Sequence, residues 1–298
     1  MIDEIIDEGD FKDINVGAYG EVLPPKNDKI ALIDADTLVY TAALAAESKC
    51  ALLDKDSYSP EEWVDIISNP SFDEGEHCIY ESDLDMIVKL AKEKLQKILD
   101  RTGCEKYQLH FTMGKSSFRY QLYSEYKMNR RYAHRPVYLV EAKQWFIDND
   151  KGYGHEDIEA DDAVVWLKKH NLDKYILCCV DKDVYNAVEG IHFNYYESGK
   201  YGKDMHWVTT EAESARMWPY MQAIIGDKSD NIIGLHGIGP AKVKKLIKPE
   251  GDLKEQLIQA FVGAGRTEED ALLNLALVTC GDDEIMKDSR LFLYKDAL

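Results

Sequence analysis

EDIEADDAVVWLKK, residues 156–169, passes from acid to apolar within about two helical turns, and five of its first seven residues are carboxylic acids. Acids at a helix start favour the positive end of its dipole by about 0.3–1 kcal/mol each. One or two acids would satisfy that role, so five ask for a second one. The apolar residues that follow predict a helix whose face is buried in the body of the protein.

Two other stretches end in acids. KIALIDAD (29–36) and YILCCVDKD (175–183) are short apolar runs closed by Asp34-Ala-Asp36 and Asp181-Lys-Asp183. Both runs predict buried strands, as does KYQLHFTM (106–113). Between them lie helical patterns, the strongest being 84–100, with apolar residues at 84, 87, 88, 91, 95, 98 and 99, and a second near 137–148. Strands alternating with helices predict an α/β fold, a parallel-type sheet flanked by helices. Residues i and i+2 of a strand share a face, and open α/β sheets bind ligands beyond the carboxyl ends of their strands. Asp227-Lys-Ser-Asp230 supplies a fourth acidic pair. Four separate elements are therefore expected to bring carboxylates to one place. Such a cluster needs counter-charge. Oxygen-only donors favour Mg²⁺ or Mn²⁺ over zinc, and two such ions can drive phosphodiester hydrolysis without a catalytic Ser or His.

Charge is distributed unevenly. A net charge of −19 opposes a polyanionic partner, yet residues 115–135 hold six basic residues against the single acid Glu125, and 236–254 hold five lysines against two acids. Residues 1–28 carry eight acids and two lysines, and are expected to form an acidic N-terminal arm. Two basic islands in an acidic chain fit binding of nucleic acid at chosen places. The acidic start MIDEIIDEGD lacks the features of a signal peptide, and no apolar run nears the ~20 residues of a membrane span. The expectation is a cytoplasmic protein with no membrane partner. Six cysteines without C-x-x-C or zinc spacing predict reduced thiols. Residues 50–82, rich in turn formers, predict an irregular insert, and from about 211 the pattern is helical only, with Gly-rich punctuation at 234–239.

The basic islands differ in kind. EYKMNRRY (125–132) interleaves rings and cations, as in channels where bases stack and phosphates are tracked; a solvated helix face is the plainer alternative. GLHGIGPAKVKKLI (234–247) resembles a helix-hairpin-helix, whose glycines admit a phosphate to the backbone. Two other motifs fail. GKSS at 114–117 lacks the P-loop glycine five residues before Gly114, where Leu109 stands, and Gly237-Ile-Gly239 lacks the third glycine of a dinucleotide fingerprint.

Taken in order, IDAD, GKSSFRYQLYSEYKMNRR, IEADD, VDKD and GDKSDNIIGLHGIGPAKV resemble the bacteriophage and bacterial 5′-to-3′ exonucleases of the flap endonuclease superfamily, over about 30–247. The resemblance implies a catalytic domain at 29–210 with a helical arch near 113–136, and a helical DNA-binding region at 211–298 with a helix-hairpin-helix at 232–248. It implies two divalent ions, Mg²⁺ or Mn²⁺, on Asp34, Glu159, Asp161, Asp162, Asp181, Asp183, Asp227 and Asp230, with Asp36 at a variable position. Lys127 and Arg130 are implied at the scissile phosphate. Lys115, Arg119 and Arg131 are implied along the strand, and Tyr126 as a stacking ring. Gly237, Gly239, Lys242, Lys244 and Lys245 are implied on the duplex backbone, where a K⁺ ion can also serve. The implied partners are DNA with 5′ ends or flaps, or RNA–DNA hybrid, met by a monomer. One departure stands out: the family places an Asp where this chain has Met113. That raises a second reading, a structure-specific DNA-binding protein whose catalysis has weakened. A single-domain ribonuclease of the related PIN type is a third, opposed by the 234–247 motif.

Overall fold

The computed structural model describes residues 24, 26–114, 117–130, 133–198 and 202–287. Most of the acidic arm, Lys115 and Arg131 lie outside the described residues.

In chain order the elements are β1 (Asn27–Asp34), α1 (Asp36–Ala46), β2 (Ser48–Leu52), α2 (Pro60–Ile67), β3 (Phe72–Asp73), β4 (Cys78–Glu81), α3 (Leu84–Thr102), β5 (Cys104–Thr112), α4 (Phe118–Leu122), α5 (Leu139–Asn149), β6 (Gly152–His155) and α6 (Ala160–His170). There follow β7 (Tyr175–Cys179), α7 (Lys182–Asn186), β8 (Gly190–Asn194), β9 (His206–Thr210), α8 (Ala212–Ile225), β10 (Gly226–Asp227), β11 (Ile232–Ile233), α9 (Pro240–Val243), α10 (Leu253–Gly263), α11 (Glu268–Val278) and α12 (Asp283–Lys287).

The main sheet runs β6-β5-β1-β7-β8-β9, parallel throughout except for the antiparallel β8–β9 pair. β1 and β7 are central, and side-chain alternation sorts their residues between two cores. Ala31, Ile33, Ile176 and Cys178 pack with α1, α3 and α5 on one face. Leu32, Tyr175, Leu177 and Cys179 pack with α6 on the other. Burial on both faces explains why these strands read as unbroken apolar runs. α3 follows its sequence pattern closely: Asp83 caps its start, Ile87, Val88, Ala91, Leu95 and Ile98 are buried, and Gly103 ends it in a left-handed conformation.

The 50–82 segment corrects the expectation of an irregular insert. β2, β4 and β3 form a small antiparallel sheet. Ser59 and Glu62 form a reciprocal capping box on α2, with Pro60 in its first turn. β2 is exposed along its whole length, so it carries no alternating pattern to read. The region after 211 is helical around a third core built from α8, α10 and α11, joined by Val243 and Ile247. The β10–β11 hairpin interrupts it.

That hairpin depends on two glycines. A Cβ on Gly234 would lie 2.2 Å from the Ile225 carbonyl oxygen, and one on Gly226, whose φ is +76°, would lie 2.3 Å from the Gly234 nitrogen. Overpacking of this kind costs about 1–3 kcal/mol, and here backbone would have to yield. Gly234→Ala should lower stability by about 2 kcal/mol in urea denaturation; an unchanged midpoint would show that the close approach is not needed.

Candidate metal centre and nucleic-acid interface

Each acidic element stops where its carboxylate is needed. β1 ends at Asp34, which is 4% exposed, and Asp36 is already the first residue of α1. β7 ends at Cys179, and Asp181 caps α7 by accepting from the Asp183 amide at 2.8 Å. The two D-x-D pairs therefore sit at strand-to-helix corners, not along strands as the spacing suggested, yet their members stay close enough that Asp36 is the strongest charge on Asp34 and Asp181 on Asp183. Asp34 faces Asp161 and Asp181, whereas Asp36 accepts from the Thr112 amide at 3.1 Å and pairs with Lys143 at 2.7 Å. Glu159 caps α6 in a reciprocal box with Asp162, and its first turn carries Asp161. Asp227 accepts from the amide and hydroxyl of Ser229, both at 2.7 Å.

Glu159, Asp161, Asp181, Asp183, Asp227 and Asp230 line one cleft, and Asp34 adjoins it through Asp161. All eight sequence-identified acids except Asp162 thus meet in one connected region. Burial, then the charges of Asp34 and Asp181, push Asp161 well above the usual carboxylate range. Burial, then Asp36, push Asp34 up to about 7. Burial, then Asp181, push Asp183 up to about 6. Without added cations these groups give up their protons less readily than ordinary carboxyls, and oxygen donors crowded in this way are the chemistry a hard divalent ion relieves. Among the described residues, no three His, Cys, Asp or Glu side chains stand in a geometry that holds an ion as placed. The chain's own cations take up much of the charge instead. Lys127 Nζ lies 3.0 Å from both Glu159 carboxylate oxygens, and Arg130 pairs with Asp230.

Raised carboxylate pKa values fix the sign of a pH effect. Between the ordinary carboxylate range and about pH 7 the folded chain retains protons that the unfolded chain has released, so metal-free stability falls as pH rises through that window. Melting temperature in EDTA should therefore drop from pH 5 to pH 8, and millimolar Mg²⁺ should restore it at pH 8. Parallel pH profiles with and without Mg²⁺ would remove the coupling.

Three assigned roles change. Arg119 was expected along the strand and Asp162 on a metal, but they pair with each other. Arg119 is 2% and Asp162 1% exposed, joined by bonds of 2.7 and 2.8 Å, and the guanidinium also donates to the carbonyls of Leu277 and Thr279. Burial works against the Asp162 charge, yet Arg119 holds its carboxyl below the usual range. Tyr126, expected to stack on a base, is 2% exposed and donates towards Glu159 and Asp230 at 3.1 and 2.9 Å. Both side chains fasten the 117–130 segment to the acid cleft.

Lys127 and Arg130, implied by the resemblance at the scissile phosphate, stand beside the acids Glu159 and Asp230. Lys127 has a left-handed backbone, φ +55°, and its amide donates to the Asp230 carbonyl. Arg130 also donates to the Ser229 carbonyl, and Asn129 to that of Lys228. In the second island, Gly237 has φ +72° and Gly239 precedes α9; added Cβ atoms at either would meet nothing within 4 Å. Lys242, Lys244 and Lys245 are exposed around them. Sequence reading missed Lys143 and Gln222. Gln222 is 3% exposed and donates to Asp183 at 3.1 Å; a polar residue at a buried position of α8 was its only signal. Met113, the departure from the family pattern, packs against the core below α5.

No family model matches the sequence, and no curated protein matches it. Solved structures do. The bacteriophage T5 5′-exonuclease with bound zinc superposes with a TM-score of 0.55 at 18% identity, covering 87% of this chain and 96% of that one. The chain shares the fold of that nuclease. A bacteriophage T5 flap endonuclease, in a pseudo-enzyme–product complex with DNA and metal ions, gives 0.55 at 19% identity over 85% of this chain and 89% of that one. At such identities the likeness speaks for the 5′-nuclease fold, and residue roles rest on the geometry above.

Proposed function

We propose that the chain is a divalent-metal-dependent 5′-to-3′ exonuclease or flap endonuclease, hydrolysing phosphodiester bonds near the 5′ ends of DNA. The observation that carries this reading is the convergence of carboxylates from four elements under Lys127 and Arg130. Asp34, Glu159, Asp161, Asp181, Asp183, Asp227 and Asp230 would hold two Mg²⁺ or Mn²⁺ ions. When bound, these would supply the Lewis acidity that activates water and takes up charge on the phosphate. Lys127 and Arg130 then exchange their carboxylate partners for the phosphate, placing fixed positive charge where negative charge develops. Lys115 and Arg131 would add charge for binding the nucleic acid. Gly237, Gly239, Lys242, Lys244 and Lys245 grip the duplex backbone as a helix-hairpin-helix, with a K⁺ ion as its companion. Removal of flaps or RNA primers during replication fits this chemistry. A monomer acting in the cytoplasm, or in a host's cytoplasm, completes the reading; among the described residues no helix is long and apolar enough to cross a membrane.

The test is a 5′-labelled flap duplex incubated with Mg²⁺ or with EDTA. Metal-dependent release of short labelled products supports the enzyme, and their length separates exonuclease from flap cutting. Lys127→Ala with Arg130→Ala should lower turnover about 10²-fold or more, as expected when charge that stabilises a transition state is removed; unchanged turnover would take the arch out of the mechanism. Met113 and the internally paired carboxylates favour a second reading, a structure-specific DNA-binding protein of weak catalysis. Tight binding without cleavage in either Mg²⁺ or Mn²⁺ would select it.

A further inference from the structure

Beside the acid cleft lies a second cavity, of about 170 Å³, between α5 and the segment that carries Lys127. It shares Lys127 and Glu159 with the cleft. Its cations come from three places: Lys127, Arg135 and, on α5, Lys143. Lys143 spends two of its three donors on Asp36 and the Thr112 carbonyl, which leaves one. Arg135 is exposed and forms no ion pair among the described residues. Ser117 also lines the cavity, is 3% exposed, and its hydroxyl has no hydrogen-bond partner among the described residues. A lysine donor, a guanidinium and a serine hydroxyl are thus left for one ligand.

We propose that this cavity binds the terminal 5′-phosphate of the strand being cut, through Lys143, Arg135 and Ser117. The inference rests on the nuclease reading and deepens it by naming the end that the site selects. A phosphate monoester carries about −1.5 to −2 charges at pH 7 and three terminal oxygens, whereas an internal diester carries one charge and two free oxygens. The donors at hand match the monoester. Asp36, Glu156 and Glu159 face the same space, so an anion enters most readily when divalent ions offset the acids.

The experiment compares recessed duplexes ending in 5′-phosphate or 5′-hydroxyl, reading initial rates in Mg²⁺ and binding in Ca²⁺. Charge-assisted hydrogen bonds of this kind should give the phosphorylated end an advantage of about tenfold or more in kcat/KM, expressed in KM. Arg135→Ala, Lys143→Met and Ser117→Ala should each shrink the phosphoryl-to-hydroxyl ratio, with the first two bringing it towards one. A wild-type ratio near one, or a ratio unmoved by Arg135→Ala, overturns the proposal. If neither duplex is cut, the nuclease reading fails on its own, and the binding ratio in Ca²⁺ still decides whether the pocket recognises the phosphate.

Discussion

Asp161→Asn is expected to cut cleavage of a 5′ flap duplex by at least ~10³-fold, which amounts to about 4 kcal/mol of lost transition-state stabilisation. Asp161 has the most central position among the acids: the charges of Asp34, Asp181, Glu159 and Lys127 all act on it. An amide there removes an anionic oxygen from the middle of the set, where no neighbour can replace it. Duplex binding should stay within about threefold, because lysines 242, 244 and 245, proposed above to grip the duplex, are exposed elsewhere and on that proposal supply the salt-dependent affinity. The variant should also fold well. Burial and the charges of Asp34 and Asp181 disfavour an ionised Asp161 without metal, so a neutral amide suits the metal-free site, and metal-free stability at pH 8 should equal or exceed that of the wild type. Loss of cleavage together with loss of folding would make Asp161 structural. Retained cleavage would remove the convergence of acids as the basis of catalysis.

The α6 start and the ends of β1 and β7 were legible because both faces of the central strands are buried, giving apolar runs that end abruptly in charge. The β-period was then carried too far. It put Asp34 and Asp36 on one strand, whereas the strand ends at Asp34 and Asp36, though still the strongest charge on Asp34, opens α1 and pairs with Lys143. Lys143 itself was not legible, since one lysine on an amphipathic helix resembles every other until tertiary structure places it 2.7 Å from a carboxylate. Tyr126 and Arg119 were misread for a related reason. Rings and cations interleaved along 119–131 describe a strand channel and a buried polar network equally well, and only the partners contributed by α6, α11 and the 227–230 loop separate the two. The α2 cap was legible and overlooked: Ser59-Pro60-Glu61-Glu62 is a capping-box signature.

Arg119→Met alone should lower stability by about 3–5 kcal/mol, the usual cost of removing one partner from a buried ion pair. Asp162 would be left 1% exposed with its charge unmatched, apart from the amides of Glu159 and Gly281 that also bond it. The carbonyls of Leu277 and Thr279 would lose their donor as well, loosening α11 from the segment that holds Lys127. Adding Asp162→Leu removes the stranded charge, and replacing both members of a buried pair by apolar groups is often neutral or stabilising. The double variant should therefore recover most of the loss in urea denaturation, giving a large favourable coupling in a double-mutant cycle. A single variant within 1 kcal/mol of wild type, or a double variant no firmer than the single, would show that the pair does not hold this corner. The same protein settles what Asp162 does. If its carboxylate serves Arg119 alone, the refolded double variant cleaves a flap duplex in Mg²⁺; if it also serves an ion, stability returns and cleavage does not.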